Sequence, residues 1–203
     1  MIVMYKARKQ SSSERKEETH KRIVDVAARV IRRSGYEGTG VADIMKEAGL
    51  THGGFYAHFG SRDVLLVEAE AKACADSAAL AARVAAQAPP GEALAAMIDA
   101  YLSPEHIASI ETGCPVSALG SEMPRQTAEV RQVATAHIKD MIDLFARQFP
   151  DWGQESAHVR AMTTLCTLIG TTVLARAVND PKLSEAMCAA TKQHLTKSST
   201  PLS

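Results

Sequence analysis

Aromatic residues make up only 4% of this 203-residue chain, so a core of stacked rings is excluded and packing must rest on aliphatic and small side chains. Cysteine is equally sparse. Cys74, Cys114, Cys166 and Cys188 lie far apart, and no pair has the spacing of a zinc knuckle or a Cys-x-x-Cys redox motif. No stretch alternates apolar and polar residues as a half-buried strand does, and no segment repeats. The longest apolar run, Leu165 to Val178, is broken by threonines and by Arg176, too short and polar to span a bilayer. Residues 1–20 are charged and lack the apolar stretch of an export signal, which leads to the expectation of a cytoplasmic protein with reduced thiols and no membrane partner. His-x-x-x-His, Gly-x-Ser-x-Gly and glycine-rich phosphate loops are all missing, and the histidines (His20, His52, His58, His106, His137, His158, His194) are scattered. An enzyme is therefore not expected, nor a metal site or cofactor.

A charge excess is missing from the chain as a whole but present in its parts. Residues 1–62 hold 12 Lys/Arg against 7 Asp/Glu, and residues 63–203 hold 11 against 16. A basic head on an acidic body suits a head that meets a polyanion, and charge alone leaves a solvated basic helix as the equal alternative.

What the chain does contain is helical periodicity. Residues 1–13 read as a flexible basic arm with Lys6, Arg8 and Lys9. Ile23, Val26, Ala27, Val30 and Ile31 then form one stripe of a helix over Glu14–Arg33, ended by Gly35. A short helix over Val41–Ala48 follows, with Thr39 placed to cap it, and a third over Thr51–Phe59. Ser61 and Asp63 open a long helix to Gln87, stopped at Ala88-Pro89-Pro90-Gly91. Further helices are expected over Glu92–Leu102, near Cys114–Ser121, from Pro124 to before Phe149, over Glu155–Val178 and over Leu183–Thr196, with 103–113 the least regular part of the body. The fold class is all-α with about nine helices: a helix-turn-helix head over 14–62 and a helical body over 63–203.

Two short helices joined through Gly49, with a helix before them, make a helix-turn-helix. Val41, Ile44, Met45, Ala48, Leu50, Phe55 and Phe59 can share a small core, which turns Thr51, His52, Gly53, Gly54, Tyr56 and His58 outward. Each glycine of Gly53-Gly54 costs a helix interior roughly 1 kcal/mol relative to alanine. The alternatives are a pair placed in a tolerant first turn, or a backbone left bare so that it can lie close to DNA.

The run from Gly40 to Leu66 (GVADIMKEAGLTHGGFYAHFGSRDVL) resembles the DNA-binding domain of TetR/AcrR-family regulators, most specifically at Ala48-Gly49-Leu50, Phe55-Tyr56 and His58-Phe59. The likeness extends over Glu14–Glu68. A weaker one runs through Gly113–Glu122 and the terminal helices. The resemblance implies a dimeric transcriptional regulator of palindromic DNA, a repressor by expectation, released by a small molecule. It implies phosphate contacts from Thr39, Tyr56 and Arg62, groove contacts from Thr51, His52 and Gly53, and His58 near the backbone. Gly40 replaces a common hydroxyl residue and Arg62 a common lysine. With few long side chains on the reading helix, direct base readout is expected to be modest and DNA shape to contribute.

The same resemblance assigns the last two helices to a four-helix dimer interface. Met162, Leu165, Cys166, Ile169 and Val173 share one face, and Leu183, Ala186, Met187, Ala190 and His194 another. Candidate interface residues are Leu165, Ile169, Val173, Leu183, Met187 and Ala190. The helices between would enclose a ligand pocket, with Met97, Tyr101, Cys114, Met141, Phe145, Trp152 and Met162 as candidate lining. Cys114, between Gly113 and Pro115 at an expected helix start, raises the alternative of an electrophile- or oxidant-sensing regulator; a buried structural thiol is the simpler reading. A DNA-binding architectural protein is a further alternative, but it would need little of the long helical body.

Overall fold

The computed structural model describes residues 11–197, which form nine α-helices and two short 3₁₀ segments. Helix α1 (Ser12–Ser34) opens on a capping box, in which the Glu14 amide donates to the Ser11 hydroxyl and the Ser11 amide to the Glu14 carboxylate. That reciprocal pair starts the helix two residues before Glu14 and takes Ser12 and Ser13 out of the expected arm. The arm's residues 1–10 lie outside the described residues. Gly35 ends the helix at φ +77°, and a Cβ there would fall 2.4 Å from the Glu122 carboxylate, so both backbone and space call for glycine.

Helix α2 (Val41–Glu47) and the first half of α3 (Arg62–Gln87) pack on α1, and a 3₁₀ helix (His52–Ala57) packs on α2. Their core is built from Ile23, Ile31, Tyr36, Ile44, Met45, Phe55, Phe59, Leu65 and Leu66, each under 3% exposed. Burying one such side chain contributes about 1.5–3 kcal/mol. This core continues through Leu119, Met123, Val130 and Ala134 into the body. A second core joins α4 (Ala93–Tyr101), α7 (Ala128–Ala146), α8 (Glu155–Ala177) and α9 (Pro181–Lys197) through Met97, Ile98, Met141, Phe145, Ala161, Leu168, Cys188 and Leu195. Short helices α5 (Pro104–Ala108) and α6 (Pro115–Leu119) lie between.

The local expectations fail at four places. Thr39 does not cap α2: Gly40 holds that position, and the Thr39 hydroxyl donates 2.7 Å to the Gly35 carbonyl left open at the end of α1. The third helix is 3₁₀ rather than α, because two consecutive glycines give a six-residue segment little reason to adopt the wider turn. Within 103–113, Ser103 caps α5 by accepting from the His106 amide, and Pro104 occupies its first turn. Pro124 sits in a separate 3₁₀ turn (Met123–Arg125), and α7 begins under a Thr127 cap instead.

A polar seam joins head and body. The Tyr36 hydroxyl donates 2.8 Å to Glu70 and the Cys74 thiol donates 3.4 Å to the same carboxyl, all three buried. The Tyr36 amide donates to Glu122, and the buried Arg32 donates to the carbonyls of Ala28 and Gly113. Arg33 bridges Glu47 and Glu111 at the surface. Burial raises the Glu70 pKa above its ordinary 4.5, while the bonds from Tyr36 and Cys74 pull it down more weakly. An acid with a raised folded pKa binds its proton more tightly in the fold, so stability is lost as pH climbs above the unfolded carboxyl range. The melting temperature of Glu70→Gln, which cannot ionise, is therefore expected to gain on the parent between pH 4 and 8. A gap that stays constant across that range would rule out titration of Glu70.

Candidate nucleic-acid interface and ligand cavity

Helix α2 closes with Gly49 at φ +71°, the Leu50 amide reaching the Met45 carbonyl at 2.8 Å and the Gly49 amide reaching Lys46 at 3.0 Å. This Schellman closure sets the angle at which the next segment leaves. Phe55 and Phe59 anchor that segment, their rings 5.4 Å apart in the core. What remains faces solvent: Thr51, His52, Gly53 and Tyr56 are exposed, and Gly54 and His58 half-buried. Tyr56 is 72% exposed, its ring edge-on to Phe55 at 5.2 Å, so a phenol is held out from the surface by a buried neighbour.

The glycine pair is not required by the fold. A Cβ at Gly53 would meet nothing within 4 Å, and one at Gly54 would make only ordinary contacts with Met45 and Thr51. Their propensity cost, roughly 1 kcal/mol each, is not offset by internal packing. The result is a bare, outward-facing backbone beside an exposed tyrosine.

His58 packs near His20, 6.1 Å between rings, and its Nδ1 is closed off without a hydrogen-bond partner among the described residues. Burial, then the nearby His20 and Lys16, hold its pKa below the ordinary value. His20 donates to Glu68 at 2.5 Å and stacks on Phe59. Thr39 and Arg62 differ from the expected phosphate contacts. Thr39 is 2% exposed, and the half-buried Arg62 guanidinium donates to the carbonyls of Tyr36 and Thr39. Both brace the α1–α2 connection, because loop carbonyls there need donors.

The body holds a cavity of about 310 Å³ between α3, α4, α7 and residues 103–114. Met97, Tyr101, Cys114, Met141 and Phe145 line it as expected. Trp152 and Met162 do not: Trp152 is 47% exposed, beneath the Arg147 guanidinium, and Met162 is 43% exposed on the outer face of α8. The wall contributed by α3, Ser77, Leu80, Ala81 and Val84, went unread in the sequence. Its signal was present in the small residues of 77–85, which leave space that bulkier ones would fill.

Behind the cavity, His106 and Arg176 are both held by hydrogen bonds. His106 donates through Nδ1 to the Tyr101 carbonyl at 2.5 Å and accepts the Cys114 amide at Nε2, which fixes one neutral tautomer. Burial keeps its pKa low, more than the bond to Tyr101 raises it. Arg176 donates to the carbonyls of Ile107 and His106 and to the Ser117 hydroxyl. Cys114 is a free thiol, 3% exposed, and the α6 that it precedes is only five residues long. That is the setting of a structural thiol more than of an exposed reactive one.

On the far side, α8 and α9 present an apolar face. Val159, Met162, Cys166, Gly170 and Val173 recur along α8 at helical spacing and are exposed, and Leu183, Ala186 and Ala190 are exposed on α9. Of the expected interface residues, Val173, Leu183 and Ala190 lie on this face and Ile169 and Met187 at its half-buried edge. Leu165 does not, being 4% exposed in the body core, because the outward stripe runs one residue to its side, through Cys166.

Residues 23–69 match the family model for bacterial regulatory proteins of the tetR family, and residues 90–190 the model for the C-terminal domain of LmrA/YxaF-like transcriptional regulators. The chain is 33% identical over 168 residues to an uncharacterized HTH-type transcriptional regulator of Mycobacterium tuberculosis, covering 78% of this chain and 84% of that protein. Among solved structures it is similar to a TetR-family regulator from Agrobacterium tumefaciens (TM-score 0.77, 22% identity, covering 92% of this chain and 100% of that one). It is also similar to the reduced form of Escherichia coli NemR (TM-score 0.75, 15% identity, 89% and 96% covered). At such identities these structures speak for the fold alone. With its all-helical body and the helix-turn-helix of residues 41–59, the chain belongs to the TetR family of DNA-binding transcriptional regulators.

Proposed function

We propose that the protein is a homodimeric repressor that binds a palindromic DNA operator and releases it when a small molecule occupies the body cavity. The observation that carries this reading is the course of α3. Its first half is buried in the head through Leu65, Leu66, Ala69 and Ala73, and further along Ser77, Leu80, Ala81 and Val84 form a cavity wall. A ligand that displaces this wall acts on the element that positions the head.

In this reading Thr51, His52 and Gly53 face the major groove, Tyr56 donates to a phosphate, and the bare Gly53-Gly54 backbone permits close approach. His58 lies beside the DNA backbone, while Thr39 and Arg62 support the site indirectly by holding the α1–α2 connection. The apolar face of α8 and α9 meets its copy in a second protomer. Two heads joined this way must sit about 34 Å apart or at a multiple, which a palindromic operator matches. No catalytic role is assigned, and the setting is cytoplasmic.

Selection of binding sites from random DNA at two salt concentrations tests the reading. A palindrome should emerge, with affinity falling steeply as salt rises. Enrichment of no sequence would remove operator recognition.

Removing the phenol hydroxyl in Tyr56→Phe is expected to weaken operator binding roughly 10- to 100-fold, as loss of a hydrogen bond to a charged group does. Gly53→Ala should weaken it as well, with the melting temperature of either variant unchanged or higher. An affinity equal to the parent's in both variants would place the DNA elsewhere.

Val173→Glu sets like charges against each other across the proposed two-fold interface. Analytical ultracentrifugation should then show monomers, with dimerisation weakened by about 100-fold or more. A dimer of undiminished stability would move the interface away from α8 and α9.

A further inference from the structure

We infer that the cavity selects a compact, uncharged and largely apolar molecule whose single hydrogen-bonding group meets the Ser77 hydroxyl, and that it rejects anions. The inference rests on the reading of the cavity as a ligand site and deepens it.

Shape and chemistry of the wall set the class. Leu80, Val84, Met97, Met141 and Phe145 supply apolar and adaptable surface. At about 310 Å³ the cavity lies at the small end of ligand pockets. That suits a compact body smaller than most ligands of such pockets.

Ser77 is the unusual member of this wall. It is 9% exposed, lines the cavity, and its hydroxyl has no hydrogen-bond partner among the described residues. Several helical hydroxyls, those of Thr19, Thr135, Thr163, Thr167 and Thr196, donate to the carbonyl one turn back, and the buried Thr172 hydroxyl, which has no partner among the described residues, lies outside the cavity wall. Ser77 makes no such bond, so a nearly buried hydroxyl is left for whatever enters. The Tyr101 hydroxyl, in the same wall and closed off from solvent, faces the side chains of Cys114 and Ser117. The Ser77 and Tyr101 hydroxyls are neutral, and each can donate or accept.

Charge argues against an anion. Among the described residues no lysine or arginine lines the cavity, and the one acidic side chain at its rim is the exposed Glu105. Arg176, the cation behind Gly113, spends its donors on Ile107, His106 and Ser117. His106 is held neutral, with both ring nitrogens already hydrogen-bonded. A carboxylate or sulfonate inside would lose its hydration and find no counter-charge.

The matched probes are N-phenyl-1-naphthylamine and its sulfonate, 1-anilinonaphthalene-8-sulfonate, titrated by fluorescence into the full-length dimer. The neutral amine should bind once per protomer and about tenfold or more tighter than the sulfonate. Ser77→Ala should weaken it roughly three- to tenfold. Ala100→Phe, which fills the cavity, should abolish its binding while leaving the melting transition intact; Val84→Phe does the same from the opposite wall if the first variant fails to fold. Equal affinity for both probes, or amine binding indifferent to the filling variants, overturns the inference, and indifference to Ser77→Ala removes the hydroxyl's role. Operator affinity measured in the same samples separates the two levels. An amine that binds as described without releasing DNA leaves the ligand class standing and sinks ligand-controlled repression. Release by the sulfonate alone does the reverse.

Discussion

Helix α3 belongs to two cores at once, and the rest of the molecule is arranged around that constraint. Its 26 residues span about 39 Å at the rise of an α-helix. Leu65, Leu66, Ala69 and Ala73 complete the core that holds the helix-turn-helix, and Ser77 to Val84 lie along the cavity. Its buried residues run from Leu65 to Ser77, so packing holds the first half, while the half-exposed stretch along the cavity is stiffened by the helix's own hydrogen bonds. Head and body therefore cannot be repositioned independently.

The polar seam sharpens the same constraint. Arg32 is buried with carbonyl partners and no carboxylate within ion-pair distance among the described residues, and Glu70 is buried with only a phenol and a thiol donating to it. Apolar side chains of similar volume would hold two helices together at least as well. What the polar groups add is geometry: Arg32 reaches Gly113, the residue next to Cys114 in the cavity wall, and Tyr36 reaches Glu70 on α3 and Glu122 beyond α6. Hydrogen bonds of this kind tolerate little displacement before they break. A seam built from them costs stability and fixes the angle between head and body more sharply than apolar contact would.

The head was legible in the sequence because its signals are local and mutually consistent. Gly49 lies where a positive φ is needed, Phe55 and Phe59 fall on the inward side, and the tyrosine between them is turned out. Errors arose where two partners competed for one group. Thr39 can cap α2 or satisfy the carbonyl of Gly35, and the second wins because that carbonyl has lost its helical partner at the chain reversal. The cavity was legible in its large residues and illegible in its small ones, since Ser77 and Ala81 announce themselves only by the space they leave. Leu165 and Cys166 show the limit of periodicity. One residue is 100° of helix, enough to move a side chain from the α8–α9 face into the body core, and only packing against the other helices decides which is which.

A reading surface of Thr51, His52 and Gly53 has short side chains and few donors, whereas discrimination of bases in the major groove relies on long, bidentate ones. Under the proposed function, such a surface leaves much of the selectivity to two other terms. One is the deformability of the DNA, felt through backbone contacts that demand a particular groove width. The other is the separation of the two heads, which decides whether both half-sites can be engaged together. A protein that reads bases strongly would keep some hold on its site when the head spacing changes. One that depends on spacing loses both half-site geometry and shape readout with a small change of angle. Under the proposed function, the modest reading helix and the continuous α3 belong to the same design: weak local recognition would make operator binding sensitive to the head spacing that a ligand in the cavity would alter.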